Sequence, residues 1–165
     1  MKRVSVAVIC LLFFCLAGQT VRAGGKNIIG ETAWIKVAGV SFPYLARIDT
    51  GARVTSIHAV DMKINDAAAV PEENVGKTIT FTTENREGKS REVTARISKV
   101  STVKNSQGEE KRYVIEMLLG WKHVQKKVLV NLRDRSRMQY KLLIGRNWLK
   151  NDFLVDVDIK AAEKE

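Results

Sequence analysis

A chain of 165 residues with 28 Lys and Arg against 18 Asp and Glu carries a formal net charge of +10. Its 2 cysteines, Cys10 and Cys15, both fall near the start, so everything beyond them is excluded from disulfide, thiolate-nucleophile and cysteine-metal chemistry and folds on packing alone. The positive charge favours solubility and contact with anionic surfaces but names no partner.

Lys2 and Arg3 precede an almost uninterrupted apolar run from Val4 to Gly18, and Val21-Arg22-Ala23 supplies a small-residue cleavage pattern. Residues 1–23 therefore read as a secretory signal peptide. The apolar run is short for a membrane span, which needs about 20 residues. Large residues precede both cysteines, so neither sits in a lipid-attachment context. Cleavage after Ala23 removes Lys2, Arg3 and Arg22 and leaves 25 basic against 18 acidic residues, about +7. The expected destination is an exported space, most simply a periplasm. Residues 24–165 are expected to form one domain with no stable transmembrane segment.

Strand-like segments follow in order. Trp34-Ile35-Lys36-Val37 leads to Val40, and Tyr44-Leu45-Ala46-Arg47-Ile48 leads to Asp49. Thr78–Thr82 and Glu92–Ser98 come next, the latter placing Val93, Ala95 and Ile97 on one face through two-residue alternation. Tyr113–Leu119, Lys127–Leu132 and Phe153–Ile159 continue the pattern. Asn85-Arg86-Glu87-Gly88 and Asn105-Ser106-Gln107-Gly108 read as hairpin tips. One short helix is expected over Asn147–Asn151, with Asn147 available as its cap. Many short strands separated by turns predict an all-β barrel or sandwich.

The segment with most chemistry is Ile48-Asp49-Thr50-Gly51-Ala52. Asp49 is a carboxylate leaving a strand end, Thr50 a local hydroxyl, and Gly51 a residue suited to a tight turn. Read by itself, Asp-Thr-Gly fits a local turn in a β protein. Metal-free peptide hydrolysis needs two carboxylates that share a proton, one acting on water while the other donates to the scissile carbonyl. Downstream, Leu142-Leu143-Ile144-Gly145-Arg146-Asn147-Trp148-Leu149 joins an apolar strand to a short helix through glycine.

Together with Ala46–Ala52, that second segment resembles the aspartic proteases of retropepsin type. The likeness is closer to a bacterial retropepsin-like family often labelled ATP-dependent zinc proteases. It rests on Arg47–Arg53, Ser56-Ile57-His58-Ala59, Arg112–Glu116, Asn131–Arg135, Leu143–Arg146 and Phe153–Asp156, and spans roughly Thr32 to Asp158. The resemblance implies a closed β-barrel with one short C-terminal helix and Asp49, Thr50 and Gly51 at the catalytic turn. One such turn per chain implies a homodimer with an Asp49 from each subunit, a peptide or protein substrate, and a hairpin near Gly88 or Gly108 acting as a flap.

The viral pattern places an Asp where this chain has Arg53, so its usual pairing with the Arg after the glycine, here Arg146, cannot form. Asp156 and Asp158 are the acids expected to intervene. No phosphate loop ending in Lys-Ser/Thr is present. His58 and His123 are far apart and lack a zinc-protease motif. Neither ATP nor obligate zinc is therefore expected, and His58 reads as a structural hydrogen-bonding residue. Lys126, Lys127, Arg133, Arg135, Arg137 and Lys141 read as solvated strand edges rather than a nucleic-acid surface, with a grip on acidic peptides or anionic envelope surfaces as the alternative. Trp34, Trp121 and Trp148 read as core or interface anchors. The alternative to an enzyme is a retropepsin-like peptide-binding or assembly domain.

Overall fold

The computed structural model describes residues 25–105 and 108–161. The expected signal segment lies outside these residues, as do Ser106 and Gln107 at one expected hairpin tip. The described strands are β1 (Asn27–Ile29), β2 (Thr32–Val37), β3 (Tyr44–Ile48), β4 (Thr55–His58), β5 (Val60–Ile64) and β6 (Thr78–Glu84). They continue with β7 (Ser90–Asn105), β8 (Gly108–Trp121), β9 (Val124–Arg133), β10 (Leu142–Ile144) and β11 (Phe153–Val155). A 3-10 turn covers Pro71–Asn74, and the described α-helix, α1, is Arg146–Leu149.

Nine strands share one sheet in the order β2-β3-β10-β4-β9-β8-β7-β6-β5, while β1 and β11 form a separate parallel pair. The expected closed barrel holds only in its coarser form, a mostly β fold with one short α-helix. β8 pairs with β7 only as far as Ile115, and this frees an edge on which Lys36 and Val37 of β2 face Gly120 and Leu119. β7, β6 and β5 continue the sheet past that contact, so it is one large sheet rather than a barrel closed as a whole.

Alternation places the core. In β6, Ile79 and Phe81 turn inward with β2's Ile35 and β8's Leu119, all fully buried. Trp148 of α1 is also fully buried, stacks on Phe153 at 4.4 Å and donates its indole N–H to the Leu119 carbonyl at 3.4 Å. Trp121 meets Phe153 edge-on at 5.7 Å. The aromatic anchor thus pins α1 over the sheet directly after the Gly145 segment.

Three expectations change. The segment after Phe153 leaves the strand at Val155, because Asp156 turns the chain by accepting the Asp158 N–H at 3.0 Å through its side chain. Asn147 does not cap α1; the N-cap position is Gly145, which leaves the Asn147 side chain free for another task. β4 and β5 lie between the expected strands, and β4 is buried at all four positions, so no alternation marks it.

The two hairpins differ in what holds them. Asn85 is buried, accepts the Glu87 and Lys89 N–H groups at 2.9 and 3.1 Å, and donates to the Pro43 carbonyl at 3.3 Å. That ties the Gly88 tip to the start of β3. In the other hairpin, Ser101–Asn105 pair with Gly108–Arg112, and β8's pairing with β9 reaches only Val114. Beyond that point the β7–β8 hairpin is a two-stranded arm.

Candidate active site

β10 lies parallel beside the end of β3, and the Asp49 N–H donates to the Ile144 carbonyl at 2.9 Å. The chain then turns sharply. Asp49 Oδ1 accepts the N–H groups of Gly51 and Ala52 at 2.9 and 3.1 Å, which fixes the carboxylate over its own turn. A Cβ on Gly51 would stand 3.1 Å from that oxygen, so glycine serves close approach here. Among the described residues, Asp49 Oδ2 receives no such donor. Asp49 is half-buried, and Thr50 and Gly51 are exposed.

The downstream segment grips this turn. Gly145 lies so close to β4 that a Cβ would stand 2.7 Å from the Val54 carbonyl carbon and 2.9 Å from the Thr55 nitrogen. Its N–H donates to Thr55 Oγ1 at 3.1 Å, and both Thr55 donors reach Asn147 Oδ1 at 2.9 Å. Asn147 Nδ2 donates in turn to the Leu129 carbonyl at 2.7 Å, so one side chain joins β4, β9 and α1. The Arg146 and Asn147 N–H groups donate to the Ala52 and Arg53 carbonyls at 2.8 and 3.2 Å.

Arg146 also answers the missing ion pair. Its guanidinium donates to the Thr50 and Gly51 carbonyls at 3.0 and 3.3 Å, holding the Asp49 turn through backbone rather than through an acid. Asp156 and Asp158 do not intervene; Asp156 is engaged with the Asp158 N–H instead. We expect Arg146→Met to lower stability by about 1 kcal/mol, one or two exposed hydrogen bonds, while loosening the turn. Thermal unfolding against Asp49-turn amide exchange checks this: faster exchange at Gly51 and Ala52 is the predicted outcome.

A cationic cluster stands beside the turn. Arg112 and Arg135 are buried, and Glu110 bridges Arg112 and Arg133, the second contact being 3.9 Å. Arg112 Nε is buried without a hydrogen-bond partner among the described residues, as is Ser56 Oγ. Burial pushes the Arg135 guanidinium down to about 10, Arg133 and Arg112 push the same way, and the Asp49 carboxylate draws it up. The Arg112 guanidinium holds the Glu110 carboxyl below its usual range.

The six basic residues expected to be one set of solvated edges separate into different tasks. Arg135 is buried and donates through Nε to the Tyr140 carbonyl at 2.9 Å. Lys126 covers the end of α1, donating to the Trp148 and Lys150 carbonyls at 2.8 and 3.0 Å and to Asp152 at 2.6 Å. Lys127 pairs with Glu116 at 3.0 Å and Lys141 with Glu84 at 3.2 Å. His58 is a structural residue, buried, with Nδ1 accepting the Arg135 N–H at 2.9 Å. Among the described residues no three His, Cys, Asp or Glu side chains converge to hold a metal ion.

Sequence reasoning missed Thr55, the use made of Asn147, and the Arg112–Glu110–Arg133 group with buried Arg135 near it. Asn147 follows the Gly145-Arg146 pair and carried a local signal. The arginines carried none, because their meeting depends on the pairing of β7, β8 and β9.

A mostly β sheet that mounts an Asp-Thr-Gly turn against an apolar-Gly-Arg-Asn segment defines the retropepsin-like class. The chain belongs to the RimB-like family, described as retropepsin-like aspartic endopeptidase RimB, whose pattern matches residues 28–165. Probable alpha-L-glutamate ligases of Shewanella pealeana and Shewanella halifaxensis are each 34% identical over 137 residues, covering 79% of this chain and 28% of theirs. A probable alpha-L-glutamate ligase of Desulfotalea psychrophila is 28% identical over 152 residues, covering 83% of this chain and 29% of its own. The chain thus spans under a third of the length of these relatives. The crystal structure of a protein of unknown function (DUF785) from Legionella pneumophila shares the fold, with a TM-score of 0.66 and 23% identity over 85% of this chain and 100% of that one.

Proposed function

We propose that the chain is one half of a homodimeric aspartic endopeptidase acting in an exported compartment. The observation that carries this reading is the Asp49 turn itself, clamped by Gly145 and Arg146, with Oδ1 fixed by two N–H groups and Oδ2 left open. A single carboxylate so held lacks the second group that peptide hydrolysis requires. A two-fold axis through the turn supplies it from an identical Asp49.

In that dyad the two carboxylates share one proton, and the titration belongs to the pair. The ionised member takes a proton from water as the oxygen attacks the scissile carbonyl carbon, while the protonated member donates to the carbonyl oxygen. The resulting tetrahedral diol collapses as a proton reaches the amide nitrogen and the C–N bond breaks. One carboxylic acid and one amine leave, and the dyad regains its single proton. The two Thr50 hydroxyls brace the facing turns.

The β7–β8 arm serves as the flap in this reading. The Gly88 hairpin is tied to Pro43, a five-residue strand from Asp49, or roughly 16 Å. The Gly108 arm instead springs from Arg112, which shares with Asp49 an electrostatic influence on Arg135, of opposite sign.

The arginine group favours an acidic peptide as substrate, and the relatives named for glutamate ligation support the same chemistry. Guanidinium groups pair with carboxylates in a planar, two-bond geometry. The test is cleavage of a glutamate-rich peptide and a neutral one of equal length by the protein processed after Ala23. Preferential cleavage of the acidic peptide, with KM raised roughly tenfold in Arg135→Gln, is the expected result. Binding without cleavage of either peptide would replace the enzyme by a peptide-binding domain.

A further inference from the structure

Apart from the proposed dyad, a buried histidine holds the backbone of Arg135. His58 is 1% exposed and sits in β4 opposite Arg133 of β9. Its Nδ1 accepts the backbone N–H of Arg135 at 2.9 Å, so that nitrogen carries no proton. The segment from Arg135 to Lys141 closes back on the same strand. The His58 N–H donates to the Lys141 carbonyl at 2.7 Å, and the Ala59 N–H to the Arg133 carbonyl at 2.9 Å. Lys141 Nζ donates to the Arg135 and Ser136 carbonyls at 3.3 and 2.9 Å, and Arg135 Nε to the Tyr140 carbonyl at 2.9 Å.

We propose that His58 is a pH-gated positioning residue, holding Arg135 beside the Asp49 turn while its ring is neutral and releasing it once Nδ1 is protonated. A proton on Nδ1 sets two N–H groups against each other, and the bond to Arg135 breaks. Two carboxylates wait for the imidazolium. Asp134 Oδ1 is 3.8 Å from Nδ1 and Glu84 Oε1 is 3.9 Å from Nε2. Lys141, itself 3.2 Å from Glu84, opposes the added charge, as does the nearby Arg135 cation. The charged ring therefore exchanges a backbone partner for side-chain ones, and the Arg135–Lys141 loop loses one of its pins, the one at Arg135.

The pH window follows from the same groups. Burial first, then Lys141, pushes His58 below its ordinary 6.5, with Glu84 and Asp134 pulling the other way. The folded ring thus binds its proton less readily than the unfolded one. Its contribution to stability is present above 6.5 and is lost as pH falls below that value toward the folded pKa. The loop is expected to open in this acidic window.

The clasp rests on the peptidase reading only for its effect on catalysis, and its test needs no cleavage. The chain has 2 histidines, and His123 is exposed in the β8–β9 turn. In the labelled full-length domain, ring resonances and the Arg135 amide are followed from about pH 8 to about pH 4. Arg135 amide exchange, corrected for its intrinsic pH dependence, should accelerate roughly tenfold or more with the midpoint of the His58 ring. His58→Asn keeps an acceptor near the Nδ1 position and removes the titration, so it should abolish the step. An Arg135 amide that stays protected while the His58 ring titrates would overturn the proposal. So would a His58 ring that stays neutral until the whole domain unfolds. Either result can be read in the unsubstituted protein if the variant does not fold.

Discussion

Asp49→Asn is expected to reduce peptide cleavage on the order of 10³-fold or more, the size of a lost general acid–base group, with little change in stability. The two effects separate because the carboxylate does two jobs through different atoms. Its structural job is to accept the Gly51 and Ala52 N–H groups through Oδ1, and an Asn amide oxygen accepts the same bonds. In the proposed dyad its chemical job is to hold and release a proton, which Asn cannot do. Retained folding with lost turnover locates the chemistry at Asp49. Unchanged turnover of purified variant would remove the dyad from consideration, and loss tracking a chelator would point to metal-assisted hydrolysis instead.

Gly145→Ala carries the largest expected cost in stability, about 3 kcal/mol or more. The added methyl would meet the Val54 carbonyl carbon at 2.7 Å and the Thr55 nitrogen at 2.9 Å, both backbone atoms that no rotamer change can move. Relief requires β4 and β10 to separate, which strains the Gly145–Thr55–Asn147 bonds and withdraws Arg146 from the turn. The variant should therefore lose stability and activity together, in contrast to Asp49→Asn. Denaturant unfolding at neutral pH measures the first, and a loss below 1 kcal/mol would mean that the strands part easily there.

Much of the fold was legible because the relevant strands alternate. β2, β3 and β6 bury every second side chain, and Tyr44–Ile48 was bounded correctly by its apolar pattern and the turn residues after it. β4 was hidden because Thr55, Ser56, Ile57 and His58 are all buried, two of them satisfied by partners about 90 and 77 residues away. The closed barrel was too simple a picture, since nothing local says where β8 will exchange β7 for β2 as its neighbour. The candidate site divides in the same way. Asp49, Gly51 and Gly145 were readable from short motifs whose spacing carries the geometry. Arg135 resembled any other loop arginine until the Arg135–Lys141 segment folded onto His58 and brought its buried guanidinium under the influence of Asp49. Arg146 was read correctly as lacking its acidic partner, but its replacement by the Thr50 and Gly51 carbonyls is a tertiary contact that the sequence does not encode locally.

The central claim is that two subunits share one catalytic centre, and mixing subunits tests it most directly. Wild-type and Asp49→Asn protein are unfolded, combined in varied ratio and refolded at fixed total concentration, and cleavage of the acidic peptide is followed. A shared dyad predicts activity proportional to the square of the wild-type fraction, about a quarter of the original at an equal mixture. Activity proportional to the wild-type fraction itself would contradict the account, because each Asp49 would then be working alone.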